Sequence, residues 1–199
     1  PYFLDKKNTI SFQPLTEMIR ALLLTVEQDF SYESIMDYLR CGLSGVSREK
    51  ADLLENYLLA NRIRGFSRWK SKWVRLNGVR NTHELDLINE LRERILAQFE
   101  EARPVLRNKD TTVLDKTKAL YGMIAAQRVQ EQLEERRMGL EQEGRLALAR
   151  EYAQIYKLVM DLLDKLARLL AEETMELSEY RQILEAGFAA SSVGTIPPG

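Results

Sequence analysis

The sequence predicts an all-α protein, and three observations lead to that fold class. Apolar residues recur at spacings of three and four along most of the chain, which is the helical period. Residues that favour helix N-caps, Ser31, Ser47 and Asn81, precede three of these periodic segments. An apolar seam runs unbroken from Ala149 to Leu170, as in a coiled coil. We therefore expect a multi-helix domain with a long antiparallel helical hairpin and short extended segments at both ends.

Four helices are predicted between residues 14 and 103, after an extended lead-in over residues 1–13. Each begins at a proline or a capping side chain, and the last three end before a glycine or a proline, which commonly terminate helices. The predicted limits are Pro14 to Gln28, Ser31 to Gly42, Ser47 to Gly65, and Asn81 to the residue before Pro104. Residues 66–80 are expected to be irregular.

Residues 111–173 are predicted to form the long hairpin. Its first arm should start at Thr112 and continue as one helix to about Met138, and Gly139 and Gly144 should bracket the turn. The second arm carries the coiled-coil seam. The seam residues are Ala149, Tyr152, Tyr156, Val159, Leu163, Leu166 and Leu170.

A short helix should follow the hairpin, from Ser178 to Ala186, and stop at Gly187. Residues 189–199 are mostly small and contain serine, with Pro197 and Pro198 near the end, so residues 188–199 are expected to form an extended exit segment. Residues 14–187 would then form one helical domain. The chain begins at Pro1 without a methionine, and it is interpreted as a segment of a longer protein.

The stretch from residue 61 to residue 80 is the most basic part of the chain, with seven Lys or Arg side chains and no acid. Its cations alternate with Phe66, Trp69 and Trp73, a composition typical of loops that contact phosphates and stack on bases. The candidate DNA-binding residues are Arg62, Arg64, Arg68, Lys70, Lys72 and Arg75. The alternative is that both tryptophans, four residues apart, anchor the loop on the helical core while the cations stay solvated.

Composition excludes several other classes of site. The chain has 29 Lys and Arg against 30 Asp and Glu, so it is not a uniformly basic nucleic-acid binder. A single cysteine, Cys41, and a single histidine, His83, cannot supply a disulfide or a Cys/His metal cluster. Cys41 is interpreted as a small buried side chain rather than a nucleophile. Adjacent pairs such as Glu134 and Glu135 point to different sides of a helix and are interpreted as solvated.

No nucleotide-binding or metalloprotease motif is present in the sequence, so no catalytic residue is predicted within this segment. No apolar run is long enough to span a membrane, and the first residues do not have the pattern of a signal peptide. With one cysteine a reducing compartment is the default, and a cytoplasmic location is expected.

Three stretches in order resemble the AddB (RexB) subunit of bacterial AddAB-type ATP-dependent helicase-nucleases. They are PYFLDKK, then PLTEMIRALLLTVEQDFSYESIMDYLRCGL, then ENYLLANRIRGFSRW, and the similarity resumes at EYRQILEAGF and GTIPPG. In the related UvrD-like helicases, a PY-containing strand leads into a large helical insertion called 2B. The resemblance therefore implies that this segment is a 2B-like insertion.

The resemblance also implies a function for the parent protein. AddB pairs with an AddA-type helicase-nuclease, and the complex resects DNA double-strand breaks for recombinational repair and responds to Chi sequences. The family implies Mg²⁺, ATP at the partner subunit and a 4Fe-4S cluster, all outside this segment. No cofactor is expected within these residues, and the expected role is contact with DNA or with the partner subunit.

A second hypothesis assigns this segment no role in binding nucleic acid. In that case the coiled-coil hairpin is a purely structural module that docks a partner helix. A seam reserved for a partner would leave a long apolar stripe exposed and cause self-association. An intramolecular hairpin would leave the isolated segment monomeric, which is the outcome expected.

Overall fold

Residues 10–191 are described by the structure, a computed structural model of the chain. A 3-10 turn at Ile10–Phe12 precedes α1. The helices are α1 (Pro14–Glu27), α2 (Tyr32–Arg40), α3 (Arg48–Asn61), α4 (Phe66–Lys70), α5 (Thr82–Ala97), α6 (Ala102–Arg107), α7 (Val113–Ala126), α8 (Val129–Gln142), α9 (Leu146–Leu169) and α10 (Leu177–Ala190). No strand forms within this range, which confirms the all-α prediction.

Local capping explains where four of these helices begin. The side chains of Ser31, Ser47, Asn81 and Thr112 each accept a hydrogen bond from the backbone N–H three residues ahead. Each bond satisfies an amide that has no partner within the helix. The sequence patterns therefore located these four starts correctly.

The first predicted hairpin arm is not one helix, which corrects the sequence analysis. α7 ends at Ala126 and α8 begins at Val129, because Arg128 has a left-handed backbone with φ +52°. At this break Gln132 Nε2 donates a 2.8 Å hydrogen bond to the Gln127 carbonyl. The predicted arm is therefore two helices: α8 pairs with α9, and α7 packs against both α6 and α9.

Three other predicted limits also shift. α5 ends at Ala97, and Pro104 lies in the first turn of a separate helix, α6. Proline is tolerated there because the amide groups of a first turn have no hydrogen-bond partner within the helix. α3 ends at Asn61, ahead of Gly65, because Arg62 adopts a left-handed conformation. The predicted irregular stretch 66–80 contains the short helix α4.

Gly187 does not stop the last helix, contrary to prediction. α10 continues to Ala190, and Gly187 lies beside Leu162 of α9. A Cβ atom at this position would lie 2.8 Å from Leu162 Cδ2, so the glycine permits close helix packing. Part of the predicted exit segment, residues 188–190, is therefore helical, and residues 192–199 and 1–9 lie outside the described range.

The two described ends of the chain are adjacent. The Ile10 amide donates a 3.1 Å hydrogen bond to the Ser191 carbonyl. Two ion pairs fasten α1 to α10, between Arg20 and Glu185 and between Arg181 and Glu27, each at 2.6 Å. The domain is thus closed by its first and last described elements.

The apolar seam of α9 is used inside the chain. Ala149, Val159, Leu163 and Leu166 are buried, and most of them belong to one hydrophobic cluster that extends from α1 to α10. Their burial in the single chain favours the intramolecular hairpin over a seam reserved for a partner. None of the helices between residues 10 and 191 is both long and apolar enough to cross a bilayer.

We expect the folded protein to lose stability at alkaline pH, because Tyr180 is buried with its hydroxyl protonated. Burial raises its pKa to about 12, and its hydroxyl lies 3.0 Å from Thr117 Oγ1. Above pH ~10 the unfolded chain releases this proton and the folded chain keeps it, so the unfolded state binds fewer protons and stability falls as pH rises. The loss amounts to about 3 kcal/mol between pH ~10 and ~12. The loss is measured by urea unfolding at several alkaline pH values for wild type, Tyr180→Phe and the exposed control Tyr121→Phe. If the free energy of unfolding depends on pH in the same way for all three, the prediction is wrong.

Candidate nucleic-acid interface

The basic loop, defined here as residues 61–80, presents all six predicted DNA-binding cations to solvent. Arg62 and Arg64 follow α3, Arg68 and Lys70 lie on α4, and the other two lie beyond it. Between residues 10 and 191 no carboxylate lies within 4.0 Å of any of the six. Arg80 differs, since it forms a 2.8 Å ion pair with Glu84. The six side chains are therefore placed to bind an external anion.

Both tryptophans of the basic loop are buried. The Trp69 and Trp73 rings meet edge to face at 5.1 Å between centroids. Trp69 also packs on Phe30 from the turn after α1, and Trp73 stacks on Tyr57 of α3 at an interplanar angle of 18°. The alternative interpretation of the tryptophans is thus confirmed, because they anchor the loop and are not free to stack on bases.

Phe66, the third aromatic residue of the loop, also has a partner within the chain. The Arg103 guanidinium lies 3.9 Å from its ring centroid, a cation–π contact. Arg103 in turn forms a 2.7 Å ion pair with Asp29, and Arg107 forms a second ion pair with the same carboxylate at 3.3 Å. Asp29 neutralises part of this second cationic group, which the sequence analysis did not identify.

Two polar side chains of α5 hold the loop backbone, and sequence reasoning missed both. Asn89 Oδ1 accepts from the Trp73 amide at 3.0 Å, and Asn89 Nδ2 donates to the Trp73 carbonyl at 2.9 Å. Arg92 donates to Asn89 Oδ1 at 3.1 Å and to the Trp69 carbonyl at 2.8 Å. Asn89 and Arg92 lie four and seven residues after Leu85, on the apolar face of α5, which is the signal that could have identified them.

The end of the loop is fitted closely to α3. Gly78 has φ +80°, and a Cβ atom there would lie 2.8 Å from Ala60 Cβ and 3.0 Å from the Asn56 carbonyl oxygen. Asn61 Nδ2 donates to the Asn77 carbonyl at 2.8 Å. These contacts, together with the Asn89 clamp, give the exposed cations a fixed support.

The remaining candidate residues show no reactive arrangement. Cys41 is half-buried at the end of α2, and burial raises the pKa of its thiol, which disfavours the thiolate form. His83 is exposed in the first turn of α5. Over residues 10–191, Cys, His, Asp and Glu nowhere form a group of three that could hold a metal ion.

Curated relatives match this chain from end to end. They are named as the B-type subunit of an ATP-dependent helicase/deoxyribonuclease. Those of Lachnoclostridium phytofermentans and Clostridium novyi are each 36% identical over the whole chain, and that of Pelotomaculum thermopropionicum is 34% identical. The chain corresponds to a segment of the AddB family. The resemblance predicted from the three sequence stretches is thereby confirmed.

This AddB segment spans only about 18% of the length of the relatives it matches. No family model matches it. The basic loop and its supports therefore belong to a segment of a much longer type of subunit, whose name in the relatives refers to helicase and deoxyribonuclease activity.

Proposed function

We propose that this AddB segment is a non-catalytic helical domain that holds DNA through the phosphate contacts of its basic loop. The observation that carries the proposal is the set of six exposed cations that have no carboxylate within 4.0 Å among residues 10–191, on a loop held by Trp69, Trp73 and Asn89. Binding to phosphates releases condensed counterions and requires cations whose charge is not already neutralised. The buried aromatic residues favour contacts to the DNA backbone over base stacking.

The parent subunit would act with an AddA-type partner in an ATP-dependent helicase and exonuclease that resects DNA double-strand breaks. The names of the relatives support this role. ATP, Mg²⁺, an iron-sulfur cluster, the response to Chi and a cytoplasmic location follow from the family resemblance and concern the parent. The hydrogen bond between Ile10 and Ser191 supports a 2B-like insertion, because an inserted domain leaves and rejoins its parent at adjacent points.

Charge reversal of the loop tests the proposal. We expect Arg64→Glu/Arg68→Glu/Lys72→Glu to weaken binding of a forked duplex by about tenfold or more at moderate salt and to reduce the salt slope by about 3. The measurement is fluorescence anisotropy over a salt series, with the full-length subunit assembled with its partner.

The matched control is Arg150→Glu/Lys165→Glu/Arg168→Glu, which changes the same number of exposed charges on α9. It should bind DNA as wild type does. Equal affinity and equal salt slope for the loop variant and wild type would disprove the proposed phosphate contacts.

A further inference from the structure

Two apolar side chains protrude from the basic loop beyond its buried tryptophans. Val74 is 73% exposed and Leu76 is 52% exposed, in a stretch outside any helix. We name this pair the apolar tip. A valine and a leucine left in water on either side of a single arginine are not explained by the packing of the domain, since Trp73 already fills the core below them.

The apolar tip is held rigidly on both sides. Before it, the amide and carbonyl groups of Trp73 are both bound by the side chain of Asn89. After it, the turn from Leu76 to Val79 closes with a 3.4 Å hydrogen bond, and Gly78 fits against α3. Such a support keeps exposed apolar side chains at a fixed distance from the neighbouring cations.

Cations surround the apolar tip and no acid interrupts them. Lys72 precedes it, Arg75 lies inside it, and no Asp or Glu occurs from residue 61 to residue 80. An apolar pair framed by cations that have no carboxylate partner within the described residues matches a polyanion that also offers apolar surface, and DNA does so on the faces of its bases. A neutral protein pocket would match the apolar pair but would leave these cations without partners.

The geometry points to the apolar tip as a wedge that packs against an open base-pair face while the flanking cations hold the phosphates. Insertion between stacked base pairs costs unstacking energy, which is least where one face is already free. The occupant we assign is therefore the terminal base pair at a DNA end or at a fork junction. This inference rests on the proposed function, because the phosphate contacts bring the DNA to the loop.

The test combines two double variants in the full-length subunit assembled with its partner. Val74→Ser/Leu76→Ser removes the apolar tip, and Leu146→Ser/Leu169→Ser removes two apolar side chains of α9 with closely matched exposures of 54% and 70%. Binding of a forked duplex with 2-aminopurine in the junction base pair is measured over a salt series. Assembly with the partner subunit is measured by sedimentation.

We expect the tip variant to lose about fivefold to tenfold in affinity at every salt concentration, since apolar burial does not depend on counterion release. Its salt slope should equal that of wild type, and the 2-aminopurine signal of wild type should be lost. The α9 control should behave as wild type in all respects.

Two outcomes would overturn the wedge. One is a tip variant that binds DNA and perturbs 2-aminopurine as wild type does. The other is a tip variant whose assembly with the partner is weakened while the assembled complex binds DNA normally, which would make the tip a protein contact. Failure of the proposed function is recognised separately, because it shows as an unchanged salt slope in the charge-reversal variant.

Discussion

Replacement of Trp69 by alanine is expected to lower the free energy of unfolding by about 3–5 kcal/mol. Trp69 is fully buried, and its ring contacts Phe30 and Trp73 at centroid distances of 5.7 and 5.1 Å. Alanine would leave a cavity at the centre of this aromatic cluster and detach α4 from the core. Urea unfolding followed by circular dichroism measures the loss.

Trp69→Phe is the matched control for this prediction. Trp69 Nε1 is buried without a hydrogen-bond partner, so phenylalanine removes no hydrogen bond and retains most of the ring packing. Its cost should stay below about 2 kcal/mol. If alanine and phenylalanine cost the same, the cluster does not anchor the loop as described.

Gly78→Ala is expected to destabilise the protein by about 2–4 kcal/mol, since a left-handed conformation and a steric overlap act together. Gly78 has φ +80°, and the added methyl group would meet Ala60 Cβ at 2.8 Å and the Asn56 carbonyl oxygen at 3.0 Å. The loop would have to move away from α3, which displaces Arg75 and the apolar tip. Denaturant unfolding gives the stability, and DNA binding reports the displacement.

Gly144→Ala separates the two causes. Gly144 has φ +75°, but nothing lies within 4 Å of a Cβ atom at this position. It should therefore cost only about 1–2 kcal/mol, the conformational part alone. A Gly78 variant no worse than the Gly144 variant would show that the loop does not lie against α3.

The sequence predicted features that depend on neighbouring residues. The caps at Ser31, Ser47, Asn81 and Thr112 are local hydrogen bonds, and the apolar periodicity of α1 and α9 reports burial directly. The exposure of the six loop cations followed from the same reasoning. Features of this kind need no knowledge of tertiary contacts.

Features that depend on distant contacts were not predictable from one sequence. The break at Arg128 was not predicted, because the apolar pattern from Val113 to Leu133 is compatible with one continuous helix. From the sequence alone, Gly187 is predicted to end a helix. Its actual role, a close packing contact with Leu162 of α9, can be recognised only from the tertiary structure. The Asn89 clamp likewise requires the Trp73 backbone to lie over α5.

Contact between DNA and the basic loop is tested most directly by photo-crosslinking from a single cysteine that carries an aryl azide. The full-length complex is used with a forked duplex, after replacement of Cys41 and of any reactive cysteine elsewhere in the complex. Exposed Ser71→Cys lies within the loop, and exposed Gln182→Cys lies on α10. We predict a DNA crosslink from position 71 and none from position 182. A crosslink from position 71 to the partner subunit alone would contradict DNA binding at the loop.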